Sequence, residues 1–412
     1  MASAQLGATA PQAGLATFVK EKVFLGMGVK EYVRSCCTPV NAIAAVILVV
    51  GVPLLVWRFI AGLGATTNLS QSAPWGLWIG FDMMTGIVLA AGGFTIGATV
   101  QLFGLKEYHP IERPALLTAF LGYVMAVIGL IADLGRPWNM IVFPFNYGTA
   151  SALFEVAWCV MCYTTVLFLE FTLPMFEWIG WAKAVRVLKK ALIALTVLSV
   201  MFSTMHQSAL GSLFLLAPTK LHPLWYSPFI FIFFFISAII AGISMVIVES
   251  SISHKIFHKQ FEGQHIDADK LVLGLGKAGA LVMFAYFFLK LQGVIDGHAW
   301  GYLLTGYGAL FLVETVGFVL VPSLLFAFGA RNGNVKLVRF AGVMGVLSIV
   351  LNRLNVSVIA FNWQLPADQR YVPHWMEIWV SVTLCTIGVL AFRWVVNRMP
   401  VLREDPRFAD HH

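Results

Sequence analysis

Ten stretches of membrane-spanning length constrain this chain more than any motif. Predominantly apolar runs of roughly 20 residues or more fall at 41–63, 75–103, 113–133, 149–173, 190–217, 223–249, 269–291, 299–326, 336–361 and 376–397. Backbone polar groups in hydrocarbon must be satisfied internally, so runs of this kind are helices. The spacing predicts an all-α integral membrane protein with about ten transmembrane helices. It is organised as one transmembrane domain over 41–397, with an amino-terminal tail over 1–40 and a carboxy-terminal tail over 398–412. Hydrophobic residues make up 59% of the chain and charged ones 11%, which leaves nothing from which to build a soluble domain.

The net charge of +7 raises the question of nucleic acid, but the placement of the charges answers it. Of the 27 Lys and Arg, 20 fall in the two tails and in the loops after runs 2, 4, 6 and 8. The positive-inside rule then puts both termini in the cytoplasm. Lys183, Arg186, Lys189 and Lys190 act as topology determinants touching anionic lipid. The first 18 residues, rich in Ala and Gln, lack the apolar core and cleavage pattern of a signal peptide, so the first run is expected to stay uncleaved.

Against this background the polar residues inside the runs stand out. The stretch PWGLWIGFDMMTGIVLAAGG, from Pro74 to Gly93, encloses Asp82 about two turns below the outer surface. A charge at mid-helix costs about 2.5 to 3.5 kcal/mol and is kept for a partner, a water cavity or a task. Trp75 and Trp78 suit a headgroup interface, and Gly86, Gly92 and Gly93 admit close approach by a helix or a flat ligand. Run 3 ends with Asp133 and Arg136, spaced to pair on one helical face, a pattern that also serves merely to close a helix end. Run 4 places Glu155 at a depth similar to Asp82, and run 5 carries His206 and Gln207 in its outer half. Asn352, Arg353 and Asn355 line the outer half of run 9, where Arg353 suits a counter-ion for one of the acids or a tie between helix bundles.

Together Asp82, Glu155, His206, Gln207, Asn352 and Arg353, with Asp133, Arg136 and His222 at the rim, describe a site near one face. Reducing a quinone adds two electrons and two protons. It therefore needs donors near the carbonyl oxygens, a flat apolar slot and a proton route. Glu314, read as lying near mid-membrane, forms with Lys277, Glu249 and Glu170 a partial route from the cytoplasm, with His109 at its entry. Blander roles fit several of these: Lys277 can snorkel, and Glu170 and His109 can simply sit at an interface. The five cysteines form no metal or cluster framework, and the CxxC of Cys159 and Cys162 lies inside run 4 without a second pair. A haem needs two histidines at matching depth, whereas His109, His222, His254, His258, His265, His298 and His374 fall in loops or near surfaces. No haem, iron–sulfur cluster or metal is expected in this chain.

The segments PWGLWIGFD (74–82), YHPIERPALL (108–117), DLGRPWN (133–139), LFE (153–155), TMHQSALGSL (204–213) and HPLW (222–225) carry a family resemblance. The chain resembles the polysulfide reductase-type, NrfD-like membrane subunits. Within them it is most similar to the b-type membrane subunit of periplasm-facing nickel-iron hydrogenases and to that of the periplasmic quinone reductase complex of sulfate reducers. The resemblance covers runs 2 to 6; the last four match mainly in hydropathy. It implies a haem-free subunit of the bacterial inner membrane that binds menaquinone near its periplasmic face. A periplasmic four-cluster iron–sulfur subunit would dock outside and supply electrons, with a catalytic or cytochrome subunit beyond it. The quinone-site role carries over to Asp82, Glu155, His206 and Gln207, beside Trp75 and Trp78, with Asp133 and Arg136 in support. Two four-helix bundles are implied as well, runs 2–5 and 6–9 with runs 1 and 10 peripheral, in keeping with the similar openings PWGLWIG and HPLWYSP of runs 2 and 6.

Other functions fit parts of the pattern. A secondary transporter would use Glu314 and Arg353 as a coupling pair, although no matched broken helices are evident in the two halves. A haem cytochrome would show a Soret band. A passive anchor would tolerate loss of Asp82 and His206.

Overall fold

In the computed structural model the described residues are 15–408, except 147, 149, 262–266 and 404. The first 14 residues of the amino-terminal tail, His265 of the inner loop and 409–412 of the carboxy-terminal tail lie outside them. Among the described residues ten long helices run in order: α1 (Pro39–Ala61), α2 (Trp78–Leu102), α3 (Lys106–Asp133), α4 (Ala152–Ile179), α5 (Ala182–Ser212), α6 (Ile230–Ile256), α7 (Ala268–Asp296), α8 (Gly306–Arg331), α9 (Val335–Ile359) and α10 (Trp375–Val396). All but α5 are long and apolar enough to cross a membrane. Four basic residues near the start of α5, and Ser203, His206 and Gln207 near its end, dilute its apolar run.

Local signals explain several helix ends. Thr38 caps α1, its hydroxyl accepting from the Asn41 amide at 3.3 Å, and Pro39 occupies the first turn, where no amide is needed. Gly180, at φ +89, ends α4 in the left-handed conformation. Only Gly180 and Trp181 separate α4 from α5, so the two form a tight hairpin. His374 and Glu377 cap α10 reciprocally.

The helices pack as two closed rings. In bundle A, α2 meets α3, α3 meets α4, α4 meets α5, and α5 returns to α2; bundle B repeats this with α6 to α9. The expected pair of four-helix bundles is therefore present, with α1 and α10 packed on each other and on α3 at the outside of bundle A. The bundles join where α6 lies against α5 and α2, and where α9 lies against α2.

Helix α2 is the hub of this arrangement: 72% of its most apolar window is buried, against 17% for α1. Small residues make that possible. A Cβ on Gly93 would fall 2.5 Å from Ala119 of α3, and one on Gly92 would fall 2.8 Å from Val246 of α6. The helix is also irregular, with π-helical stretches at Trp78–Met83 and Ala98–Leu102.

Candidate functional site

An apolar cleft of about 1010 Å³ opens in bundle A between α2, α3 and α4, closed at one end by α5. That is the size of a pocket for a substantial organic ligand. Ile79 and Met83, with Trp75 just ahead of the helix, form its α2 wall, Val127 and Leu130 its α3 wall, and Val156 and Val160 its α4 wall. Arg136, Asn139 and Ser151 supply a polar rim, while Phe120, Thr165 and Phe168 extend the cleft down the seam between α3 and α4. Trp75 is a shared partition. Its ring stacks on Phe361 at 5.0 Å, and a second pocket of about 300 Å³, lined by Tyr307, Arg370 and Tyr371, lies on the other side.

Beside the cleft's apolar lining, in the axis of bundle A, sits a polar cluster: His206, Gln207 and Ser203 from α5, Tyr123 from α3 and Tyr163 from α4. All five are fully buried. The Tyr123 ring lies 4.6 Å from Tyr163 and 6.0 Å from His206. None of the side-chain nitrogen or oxygen atoms of these five residues has a hydrogen-bond partner in the protein. Buried polar atoms are rarely left so, and a group of them marks a place built for water, protons or a ligand. Val156 and Leu210, which line the cleft, flank the cluster: the Val156 backbone lies beside His206, and Leu210 lies one turn along α5.

Towards the basic end of the bundle the polar column continues. Glu170 accepts hydrogen bonds from Ser199 at 3.2 Å and Thr196 at 3.5 Å. Beyond it Glu112 accepts from Gln101 at 2.9 Å and pairs with His109 at 2.7 Å. His109 and Glu170 thus fall on one column.

The other expected residues are dispersed. Asp82 is buried but turned away from the cleft: it accepts from Ser381 of α10 at 2.5 Å and packs against Gly129 of α3. Trp78 likewise faces α10, donating to the Glu377 carbonyl at 3.2 Å. Glu155, in the first turn of α4, is exposed. No ion pair joins Asp133 to Arg136 among the described residues. Arg58 of α1 closes the end of α3 instead, donating to the carbonyls of Ala132 and Leu134, while Arg136 lines the cleft.

His222 is enclosed by the rings of Trp225, Tyr302, Tyr307 and Trp363, with centroids 4.6 to 5.6 Å away. Its Nδ1 accepts from the Leu224 amide, and burial pushes its pKa down to about 4. It is a keystone of the outer cap over bundle B, outside the cleft.

Glu314, expected near mid-membrane, lies nearer one end of its helix. Helix α8 begins at Gly306, the preceding Ala299–Leu304 forming a separate 3₁₀ turn, so Glu314 lies about two turns from the outer end. It accepts from Lys290 at 2.8 Å, Asn352 at 2.7 Å, Asn355 at 2.6 Å and Trp225 at 2.7 Å. Its ion-pair partner is Lys290 and not Arg353, which bonds Asn352 and Ser237 and stacks on Phe234 at 3.8 Å. Lys277 is exposed on α7, where a lysine reaches for headgroups. Glu249 sits between the bundles at the basic end, bonded to Thr118 at 2.7 Å beside a cavity of about 40 Å³.

Sequence reasoning misses Tyr123, Tyr163, Ser199 and Ser203, because isolated hydroxyls in apolar runs look like packing. It also passes over Lys290, one of the few outer-side basic residues. One structural sign does single out the polar helices: Asp82, Glu314 and Asn355 all fall in π-helical stretches, which recur at functional positions.

Comparison with known proteins places these features in a lineage. A chain from Nitratidesulfovibrio vulgaris, described only as a protein, is 51% identical over 382 residues, 92% of this chain and 98% of that relative. The probable Ni/Fe-hydrogenase 2 b-type cytochrome subunit of Escherichia coli is 30% identical over 361 residues, 86% of this chain and 90% of its own length. The integral membrane subunit of menaquinone reductase from N. vulgaris is 24% identical over 375 residues, 84% and 87% of the two chains. The model of the family described as polysulphide reductase, NrfD, matches residues 65–361, the span from the approach to α2 through the end of α9. The chain therefore belongs to the NrfD polysulphide reductase family, as a multi-pass membrane protein of the kind that serves reductase complexes.

Proposed function

We propose that the bundle A cleft binds menaquinone as substrate and that this chain is the quinone-exchanging membrane subunit of a respiratory oxidoreductase complex. The observation that carries the reading is the position of the unpartnered cluster of His206, Gln207, Tyr123, Ser203 and Tyr163 beside an apolar cleft wide enough for a fused-ring quinone. A quinone head in the outer part of the cleft would place its prenyl tail down the seam past Phe120 and Phe168. His206 would hold the proton nearest the head, and Tyr123, Ser203 and Tyr163 would pass protons to it from Glu170. Proton supply is then from the basic, cytoplasmic end through His109 and Glu112, and reduction of the quinone is the working direction.

Electrons would come from a periplasmic four-cluster iron–sulfur subunit seated on the outer loops, fed by a catalytic or cytochrome subunit. The setting is the bacterial inner membrane with both termini in the cytoplasm. The menaquinone reductase relative supports this substrate, and the hydrogenase relative's name makes haem the feature to check. Among the described residues only His206 sits inside a long helix away from its first and last turns, which favours a haem-free chain. A pyridine haemochrome spectrum without a b-type band is expected. Asp82, Trp78 and Glu155 would act on the quinone only indirectly. The transporter reading loses its coupling pair, since Glu314 is fully bonded to residues other than Arg353.

The test is a titration of tryptophan fluorescence with a menaquinone analogue on purified protein and on a Val160→Trp variant that fills the cleft. Saturable quenching near one equivalent, weakened in the variant, is expected. Quenching that rises linearly in both proteins, as for dye dissolving in detergent, would remove the reading.

A further inference from the structure

The segment ahead of α1 takes no part in either bundle core, yet it is firmly attached. Its helix Val29–Cys36 contains no buried residue. Tyr32 fastens it: the hydroxyl accepts from Arg398 at 2.6 Å, and the ring lies 5.3 Å from Phe24. Arg398 also donates to the Val23 carbonyl at 3.0 Å. Val29 and Val33, four residues apart and so on one helical face, remain 61% and 57% exposed. Leu25 just before them is open as well.

Two features identify what covers that apolar stripe. The first is continuity with the surface of α1. Only Cys37 and Thr38 separate the helix from α1, a reach of about 7 Å at most. The opening turns of α1 then expose Val40 and Ile43, which as part of a span must face hydrocarbon. The stripe therefore meets the membrane at its edge. The second is charge. Lys20, Lys22, Lys30 and Arg34 outnumber Glu21 and Glu31, and this segment sits at the basic end of the bundle with Arg393 and Arg398. A short helix with valines on one face and Lys and Arg on the other is built to lie in a bilayer interface.

We propose that residues 19–37 form an in-plane collar on the leaflet at the basic end. Val29 and Val33 enter the acyl boundary, and Lys20, Lys22, Lys30 and Arg34 hold anionic lipid headgroups. The collar would clamp the end of α10 through Tyr32 and Arg398, so the occupancy of lipid beneath it bears on how α1 and α10 stay attached to bundle A.

The experiment uses the full chain in nanodiscs with Cys36, Cys37 and Cys385 replaced by Ser and a nitroxide placed at Val33→Cys or Lys30→Cys. The label at 33 should be reached better by oxygen than by a water-soluble nickel chelate, with the reverse order at 30. Replacing phosphatidylcholine with a mixture containing phosphatidylglycerol should immobilise the label at 33. Lys30→Gln and Arg34→Gln should each weaken the preference for phosphatidylglycerol about fivefold. Chelate access at 33 equal to that at 30 would overturn the proposal. So would protection of 33 from both reagents, which would mean a protein surface covers the stripe.

Discussion

The axes of the two bundles hold polar clusters of opposite character. In bundle A, His206, Gln207, Tyr123, Ser203 and Tyr163 are neutral or weakly polar and lack partners in the protein. In bundle B, Lys290, Glu314 and Arg353 are charged, and both Glu314 oxygens are spoken for, Oε1 by Lys290 and Asn352 and Oε2 by Asn355 and Trp225. The first arrangement would be completed by the ligand proposed for the cleft. The second is largely satisfied within the protein, although Arg353 Nε and Asn355 Oδ1 lack a partner, and its hydrogen bonds offset the desolvation of its charges. In the function proposed, two rings of similar plan thus divide the labour: one would be kept ready for a guest, and the other would hold α6 to α9 in register.

That division can be broken or sharpened by mutation. The largest effect is expected from Glu314→Gln, which strands Lys290 in a dry interior at a cost of about 3 to 5 kcal/mol. Thermal unfolding in detergent should fall steeply, and pairing the change with Lys290→Met should restore much of the loss. Next comes His206→Ala, for which quinone turnover in the assembled complex should drop about a hundredfold, the scale of a lost proton-transfer group. Its unfolding temperature should fall less than that of Glu314→Gln, because the lost ring leaves a cavity but strands no charge; a larger stability loss with intact turnover would reverse the roles assigned to the two bundles.

Ser381→Ala removes the donor to Asp82 and should cost about 1.5 kcal/mol of stability while leaving quinone quenching unchanged. An altered quinone titration would return Asp82 to the cleft. The smallest effect concerns the outer cap. His222 has a pKa near 4 in the fold, below its ordinary 6.5. Its neutral form is favoured by folding, so its contribution is complete above pH 6.5 and is lost as pH falls towards 4. A modest decline in unfolding temperature across that window, absent in His222→Gln, is expected.

Helix number and order are legible in the chain because hydrocarbon imposes a length and a composition on every span, whereas bundle membership comes from the family resemblance and the similar openings of runs 2 and 6. The identity of the site's acids is legible only as an inventory. Asp82 stands out as costly, but nothing in the sequence says which way it points. Helix α2 contains π-helical stretches, and each residue inserted into a helix rotates the remaining turns by about 100°, so an ideal helical wheel fails there. The apolar run sets Glu314 too deep because it begins at 299, while the continuous helix begins at Gly306. Tyr123 and Tyr163 are invisible for a different reason. Their importance lies in the absence of partners, a property of the packed bundle that no local pattern encodes.

Trp75 separates the cleft from the outer pocket by little more than the stacked faces of two aromatic rings. Such a partition is opaque to water and to a quinone but nearly transparent to a tunnelling electron, whose passage is governed chiefly by distance. A redox centre resting in the outer pocket would need no opening to reach the cleft. With the proposed quinone in the cleft, the wall would sort its traffic by mass: the light particle would cross it, and every heavier one would enter by another door.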